Sequence, residues 1–434
     1  MSRSLVITTE KRLFRQQTLT HGGLTRSPWF LGLAGLTVLI LFDPLHLISD
    51  IRYKQYPLVM VMGLIGLSVL ASGGRVARPA WPGVLLAILL VIAIPGLVVN
   101  KLEGEASSLF SAISLLLIPL SVYLLPRRWI RFEGVNELKW LGWIGTCFVA
   151  GAFFQIACEN AGIGYARVHE RAFLAPLIFL IPLLRGRKRW TTIGCGSALL
   201  LLIVDPRTTM LIVYVMSLGM WAVMFRLNSI TQKLVIGGMI LTGLLVSAAG
   251  PTVLKAIDDR FKSAYGMEGN SQFRSGLIQT GVDAFLASPV YGDMFRGGTS
   301  FPTGFYMETA PGRFDQEIMA PLHNDYLEFL TKGGLIGGGL MVGGIGGSAW
   351  IAWRNVKRLK SLGMTDAAHW QGAVCICICA LMFTMLVNPV LNNPECAVPA
   401  YWMVAQALIG QRYVRRLNIA RCLPQPVYQQ EQCV

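Results

Sequence analysis

Three short segments of this chain carry residue types able to hold an anion or move a proton. The first is Asp205-Pro206-Arg207-Thr208-Thr209. Asp205 can cap a helix and Pro206 suits a first helical turn, which leaves Arg207 beside backbone amides without intrahelical partners. The second is Asn270-Ser271-Gln272-Phe273-Arg274, where Asn270 or Ser271 can cap and Arg274 falls in the first turn. The third is Ala320-Pro321-Leu322-His323-Asn324-Asp325, a Pro-led helix start with His323 in its first turn. Helix N-termini attract anions through free amides and the helix dipole. An arginine there is mildly unfavourable for the helix and gains by meeting an anion. Two such arginines facing one cavity suit a pyrophosphate, and a neutral histidine beside them can accept a hydroxyl proton. Each residue also has a plainer role. Arg207 can pair with Asp205 or a lipid phosphate, Arg274 can be a solvated or headgroup-facing cation, and His323 can be a satisfied surface histidine. His169-Glu170-Arg171 is a further polar run with no specific pattern.

The elements that must position these residues are set by composition. Apolar residues make up 53 % of the 434, charged residues 14 %, and mean hydropathy is +0.53. An average soluble domain is nearer one-quarter charged. A soluble enzyme, a disordered chain and a disulfide scaffold are excluded. The apolar blocks are long and do not alternate, so helices rather than a barrel satisfy the backbone in lipid. Twelve spans are expected, at about 28–42, 57–72, 81–99, 107–125, 138–157, 172–184, 190–204, 208–225, 233–249, 333–353, 370–391 and 397–411. There is no Walker loop, HExxH, GxSxG or Asp-x-Asp pair, so cytoplasmic nucleotide chemistry has no support.

The net charge of +15 reads as the positive-inside bias rather than a nucleic-acid surface. With both termini cytoplasmic, the inner segments hold 25 basic residues against five acidic ones, and the outer side holds 13 against 18. The expected organisation is a cytoplasmic tail (1–27), spans one to nine (28–249), a periplasmic loop (250–332), spans ten to twelve (333–411) and a cytoplasmic tail (412–434). The polar first 27 residues do not resemble a cleaved signal peptide. The loop carries amphipathic pieces at 251–265, 271–288 and 321–331, suited to the bilayer surface or to a self-packed cap. Nine glycines between Gly333 and Gly347 suit close helix packing in span ten. Cys375, Cys377 and Cys379 read as packing residues, and Cys158 and Cys396 are a candidate outer-side pair.

The run His323-Asn324-Asp325-Tyr326-Leu327-Glu328-Phe329-Leu330-Thr331-Lys332-Gly333-Gly334-Leu335-Ile336-Gly337 resembles the signature of the O-antigen ligase and polymerase superfamily. There, a His-Asn or His-Ser opens a helix and a Gly-x-x-Gly opens the next span. Arg274 to Gly292, ending Ser288-Pro289-Val290-Tyr291-Gly292, is similar to the superfamily's arginine-led helix closed by Pro-x-x-Gly. Arg207 matches its arginine before a late span, in a Pro-Arg-Thr rather than a Ser-Arg-Gly context. The resemblance covers the architecture and the stretch 205–347.

That resemblance implies an all-α polytopic, GT-C-like fold and a glycosyltransferase in the bacterial inner membrane, with its site facing the periplasm. The donor would be polysaccharide on undecaprenyl pyrophosphate and the acceptor a lipid A–core sugar, with inversion and neither metal nor other cofactor. Arg207 and Arg274 would hold the pyrophosphate, and His323 would be the general base. Asn324, Asp325 and Tyr326 would support it. Membrane lipids are expected partners and nucleic acid is not. O-antigen polymerase and protein O-oligosaccharyltransferase activities remain open within the superfamily. A secondary transporter is the rival of another class, disfavoured by the few charges expected within the spans.

Overall fold

The structure, a computed structural model, describes residues 28–43, 45, 63, 77–102, 113–124, 134–164, 166, 168–205, 208–225, 270–296, 301–310, 313–320 and 322–422. The spans expected at 57–72 (apart from residue 63) and 233–249, and the amphipathic piece at 251–265, lie outside them. The described helices are α1 (Pro28–Leu41), α2 (Trp81–Leu102), α3 (Leu117–Ser121), α4 (Gly134–Asn160), α5 (Leu177–Leu184), α6 (Lys188–Val204), α7 (Thr208–Phe225), α8 (Asn270–Ala287), α9 (Asp325–Ser361), α10 (Thr365–Val387) and α11 (Pro394–Cys422). Short 3-10 turns cover Val122–Leu124 and Val168–Leu174.

The described residues are mostly helical, and among them four stretches are long and apolar enough to cross a membrane: Trp81–Val99, Glu137–Asn160, Asp325–Ser361 and Thr365–Val387. Thr209–Phe225 is apolar but shorter. Several expected spans look different. The stretch from 172 begins as a 3-10 turn and gives only the eight-residue α5. Within 107–125 the described part is the five-residue α3 and a 3-10 turn. One departure from an all-α fold is a two-stranded antiparallel hairpin in the large loop, β1 (Phe301–Ala310) and β2 (Arg313–Ala320), paired from Phe301↔Ala320 to Ala310↔Arg313.

α10 lies at the centre, packed by α9, α11, α4, α7 and the 168–174 turn. Trp370, Trp402 and Tyr401 are fully buried in that core. α2 docks on the glycine face of α9. A Cβ on Gly344 or Gly347 would run into Leu86 or the Trp81 ring, so the small residues set the close approach of α2, as the spacing suggests. Cys158 and Cys396 are both free thiols, not a pair, and Cys375 donates its Sγ–H to the Ala349 carbonyl (3.4 Å) within the core.

α9 continues the amphipathic piece of 321–331 straight into span ten, across a kink at Gly334. Gly334 has φ 61° and ψ −162°, a conformation essentially reserved for glycine. The kink frees backbone groups, and the turn after α8 satisfies them. Leu335 and Ile336 donate their amides to the carbonyls of Pro289 and Val290 (2.8 and 3.3 Å). Asp293 and Phe295 donate theirs to the carbonyls of Thr331 and Lys332 (3.2 and 2.9 Å). The Pro289–Phe295 turn is therefore a strut seated in the kink, pairing with two amides and two carbonyls of the broken ladder. Lys332 Nζ pairs with Asp293 at 2.7 Å and sits 5.4 Å from the centroid of the Phe301 ring, tying the hairpin to the same point.

Candidate functional site

The His323 run is built to hold the N-terminal end of α9. Asn324 is the N-cap, with its Oδ1 accepting from the Leu327 amide at 3.0 Å. Asp325, fully buried, accepts the amides of Val390 and Leu391 on Oδ2 (2.9 and 3.0 Å). Tyr326 donates its hydroxyl to the Met382 carbonyl on α10 (2.8 Å). Asn392 donates to Glu328. Asn324, Asp325 and Tyr326 cap this helix end and lock it to α10 and to the 388–393 turn before α11.

His323 itself is corrected in place. It precedes the N-cap and lies outside the helix, because Asn324 rather than Pro321 starts it; Pro321 lies outside the described residues. Leu322 beside it is buried with Leu277 of α8, Phe301 and Ala320. A Cβ on Gly281 would meet Leu327 and Leu322. Arg274, Leu277 and Gly281 sit three and four residues apart, so one face of α8 packs along this segment. That packing brings Arg274 to His323. Arg274 is the fifth residue of α8, one or two positions deeper than expected.

The imidazole is held well below its ordinary range, at about 4, first by burial and second by the charge of Arg274. Its ring is therefore neutral near pH 7. Arg207 lies outside the described residues, so the structure unites one of the two expected arginines with the histidine.

Beside the 388–393 turn is a buried polar cluster whose contacts the sequence did not reveal. Glu170 accepts from Asn393 Nδ2 (2.7 Å) and from Cys396 Sγ (3.5 Å). Glu170, Glu395 and Cys396 bring one ligand-type atom each within 4.8 Å of one another, all buried. The Cys396 contact reads as a thiol hydrogen bond to a carboxylate. Arg171 donates to the Ile40 carbonyl (2.9 Å) and to Gln155 (3.1 Å), anchoring α1 to α4. Asp325, Glu328, Glu395 and Arg171, all just outside the expected spans, are each no more than 1 % exposed. The usable signal was the Asn388-Pro389-Val390-Leu391-Asn392-Asn393-Pro394-Glu395 run, an Asn- and Pro-rich interruption between two apolar blocks.

The arrangement can do two things chemically. Arg274 can neutralise an anion, and His323 can hold or take a proton beside it. No protein-family model matches the chain, and no curated protein matches it either.

Proposed function

We propose that the protein is a membrane glycosyltransferase of the O-antigen ligase kind. It would transfer polysaccharide from undecaprenyl pyrophosphate to a sugar of lipid A–core on the periplasmic face of the bacterial inner membrane. The observation that carries this reading is the meeting of Arg274 and a neutral His323 at one end of a membrane-length helix. The acceptor hydroxyl oxygen attacks the anomeric carbon, and its proton passes to His323. The bond from that carbon to the phosphate oxygen breaks, and the pyrophosphate leaves with the electron pair. Arg274 stabilises the departing charge, with Arg207 as its proposed partner. Attack opposite the leaving group inverts the anomeric centre. The step requires no metal, since guanidinium supplies the positive charge. The acceptor distinguishes ligase from polymerase or protein glycosylation activity.

The test is transfer by purified protein from lipid-linked glycan to lipid A–core. Arg274→Ala, Arg207→Ala and His323→Gln should each lower the rate by about 10²–10⁴-fold, with donor still bound by the His323→Gln protein. Near-normal transfer by His323→Gln would remove the base from the scheme. A gene deletion that leaves core lipopolysaccharide carrying a single repeat, instead of bare core, would favour the polymerase.

One observation favours a second reading. Buried carboxylates in a membrane-length helix are costly and mark proton or ion paths in transporters. Solute uptake by reconstituted vesicles without glycan transfer would select it.

A further inference from the structure

At the opposite end of α9 from His323 lies a recess of about 250 Å³ between α2, α9 and α11. Trp81, Trp350, Arg354, Arg358, Gln411 and Arg415 line it. Trp350, Arg354 and Arg358 are four residues apart on α9, so they form one stripe, and Arg415 faces them from α11. Three guanidiniums converge on one small space, and no carboxylate is among the residues lining it. Arg415 Nη1 donates to the Arg78 carbonyl at 3.4 Å. The negative end of the α9 dipole accounts for a cation at Arg358. It does not account for an arginine brought from a second helix, nor for two indoles at the rim. Trp81 and Trp350 are 50 % and 56 % exposed, the half-wet placement indoles take at a membrane–water boundary.

An apolar groove runs along α2, starting beside Trp81 in the sequence. Pro79, Gly83 and Val84, with Ile88, Val91 and Leu120, line a cavity of about 530 Å³ along the outer side of α2. Val84, Ile88 and Val91 are exposed along it. From Gly83 to Ile92 the groove follows about 14 Å of helix. One leaflet of hydrocarbon is about 15 Å deep, so an acyl chain fits its length. The end of the protein is also the one that the charge asymmetry assigns to the cytoplasm.

We propose that this recess binds an anionic phospholipid, its phosphate gripped by Arg354, Arg358 and Arg415 and an acyl chain lying along the α2 groove. Guanidinium suits phosphate through paired N–H donors, and basic pockets between membrane helices on this side are suited to anionic headgroups. The site is separate from the proposed transfer chemistry, and its test does not depend on it.

The experiment measures phosphatidylglycerol and phosphatidylcholine binding to delipidated full-length protein, by titration in detergent and by counting retained lipids in native mass spectra. Wild type should retain phosphatidylglycerol in preference to phosphatidylcholine. Arg354→Ala/Arg358→Ala/Arg415→Ala should bind it about 100-fold more weakly, each arginine contributing roughly fivefold. Arg187→Ala/Lys188→Ala/Arg189→Ala removes the same charge from the α6 start and should bind like wild type. If the triple variant does not fold, Arg354→Gln and Arg358→Gln alone should each show the roughly fivefold loss. Equal binding of both lipids overturns the proposal. So does unchanged binding in the arginine variants, or an equal loss in the α6 control. Displacement of the lipid by free glycerol phosphate at similar concentration would make the recess a simple anion site and overturn the lipid assignment.

Discussion

Replacing Arg274 with Ala should raise the pKa of His323, and the structure bounds the amount. The ring is held at about 4 against an ordinary 6.5, a difference worth on the order of 3 kcal/mol. Burial is the larger cause and Arg274 the smaller, so Arg274 accounts for less than half. The variant's pKa should therefore rise by no more than about 1.2 units, or about 1.7 kcal/mol, and stay below 6.5. A bound pyrophosphate should act in the same direction, because its charge offsets the guanidinium. His323 would then be a weak base in the empty protein and a stronger one once donor is bound. The direct assay is ¹³C-histidine NMR, with the His323 signal identified by its loss in His323→Gln. In kinetics, the acid limb of kcat/KM, which reports the free protein, should lie near pH 4, and that of kcat should lie higher. For stability, the depressed pKa costs nothing above pH 6.5. The cost grows as pH falls towards 4, because the unfolded chain takes up the proton first. A wild-type His323 pKa near 6.5, or no change on removing Arg274, would refute the reasoning.

Asp325→Ala leaves the Val390 and Leu391 amides without their acceptor and should cost about 2–4 kcal/mol in thermal unfolding. Asp325→Asn keeps an acceptor oxygen and should lose clearly less; equal loss would mean the amides are not what Asp325 serves. Gly334→Ala forces a side chain into the Val290 carbonyl at a conformation alanine resists, for a cost above about 2 kcal/mol. Gly339→Ala, with open space around it, should be neutral or stabilise by up to about 1 kcal/mol, so matching effects on yield and melting would discredit the kink argument. A cysteine replacing Ser275 should react with an impermeant thiol reagent from the periplasm, whereas one replacing Ser361 should be protected. The reverse pattern would invert the topology.

The spans that the sequence showed well are those with unbroken apolar runs. The span read at 138–157 appears as Glu137–Asn160, and that read at 370–391 ends instead at Val387, because Asn388 and Pro389 stop the helix. The hairpin was hidden because Pro302 and Gly304 interrupt its first strand, and both residues argue against a strand in sequence. The Gly334 kink could not be singled out from eight neighbouring glycines. At the site, the types of Arg274 and His323 were legible, and so was Asn324 as a polar residue opening a helix. The clamp between Asp325 and residues 390–391 was not, because nothing local encodes a contact across 65 positions. Glu170 stood out only as part of a polar run; its contact with Asn393, 223 residues away, was equally invisible.

The seat of the Pro289–Phe295 strut in the Gly334 kink bears on how the protein is made. A broken helix inside a bilayer has amides and carbonyls that lipid cannot satisfy, and here residues 289–295, which leave the ribosome first, satisfy them. If residues 250–332 face the periplasm as proposed, this strut has to cross the membrane before the helix of residues 325–361 is inserted. Until the two meet, the kink has no stable form, and the chain is open to surveillance by membrane proteases. Faults in the exported strut would then show up as low abundance of an integral membrane protein, far from any change in its apolar segments. Biogenesis, on this view, proceeds as a handover from translocated segment to inserting helix.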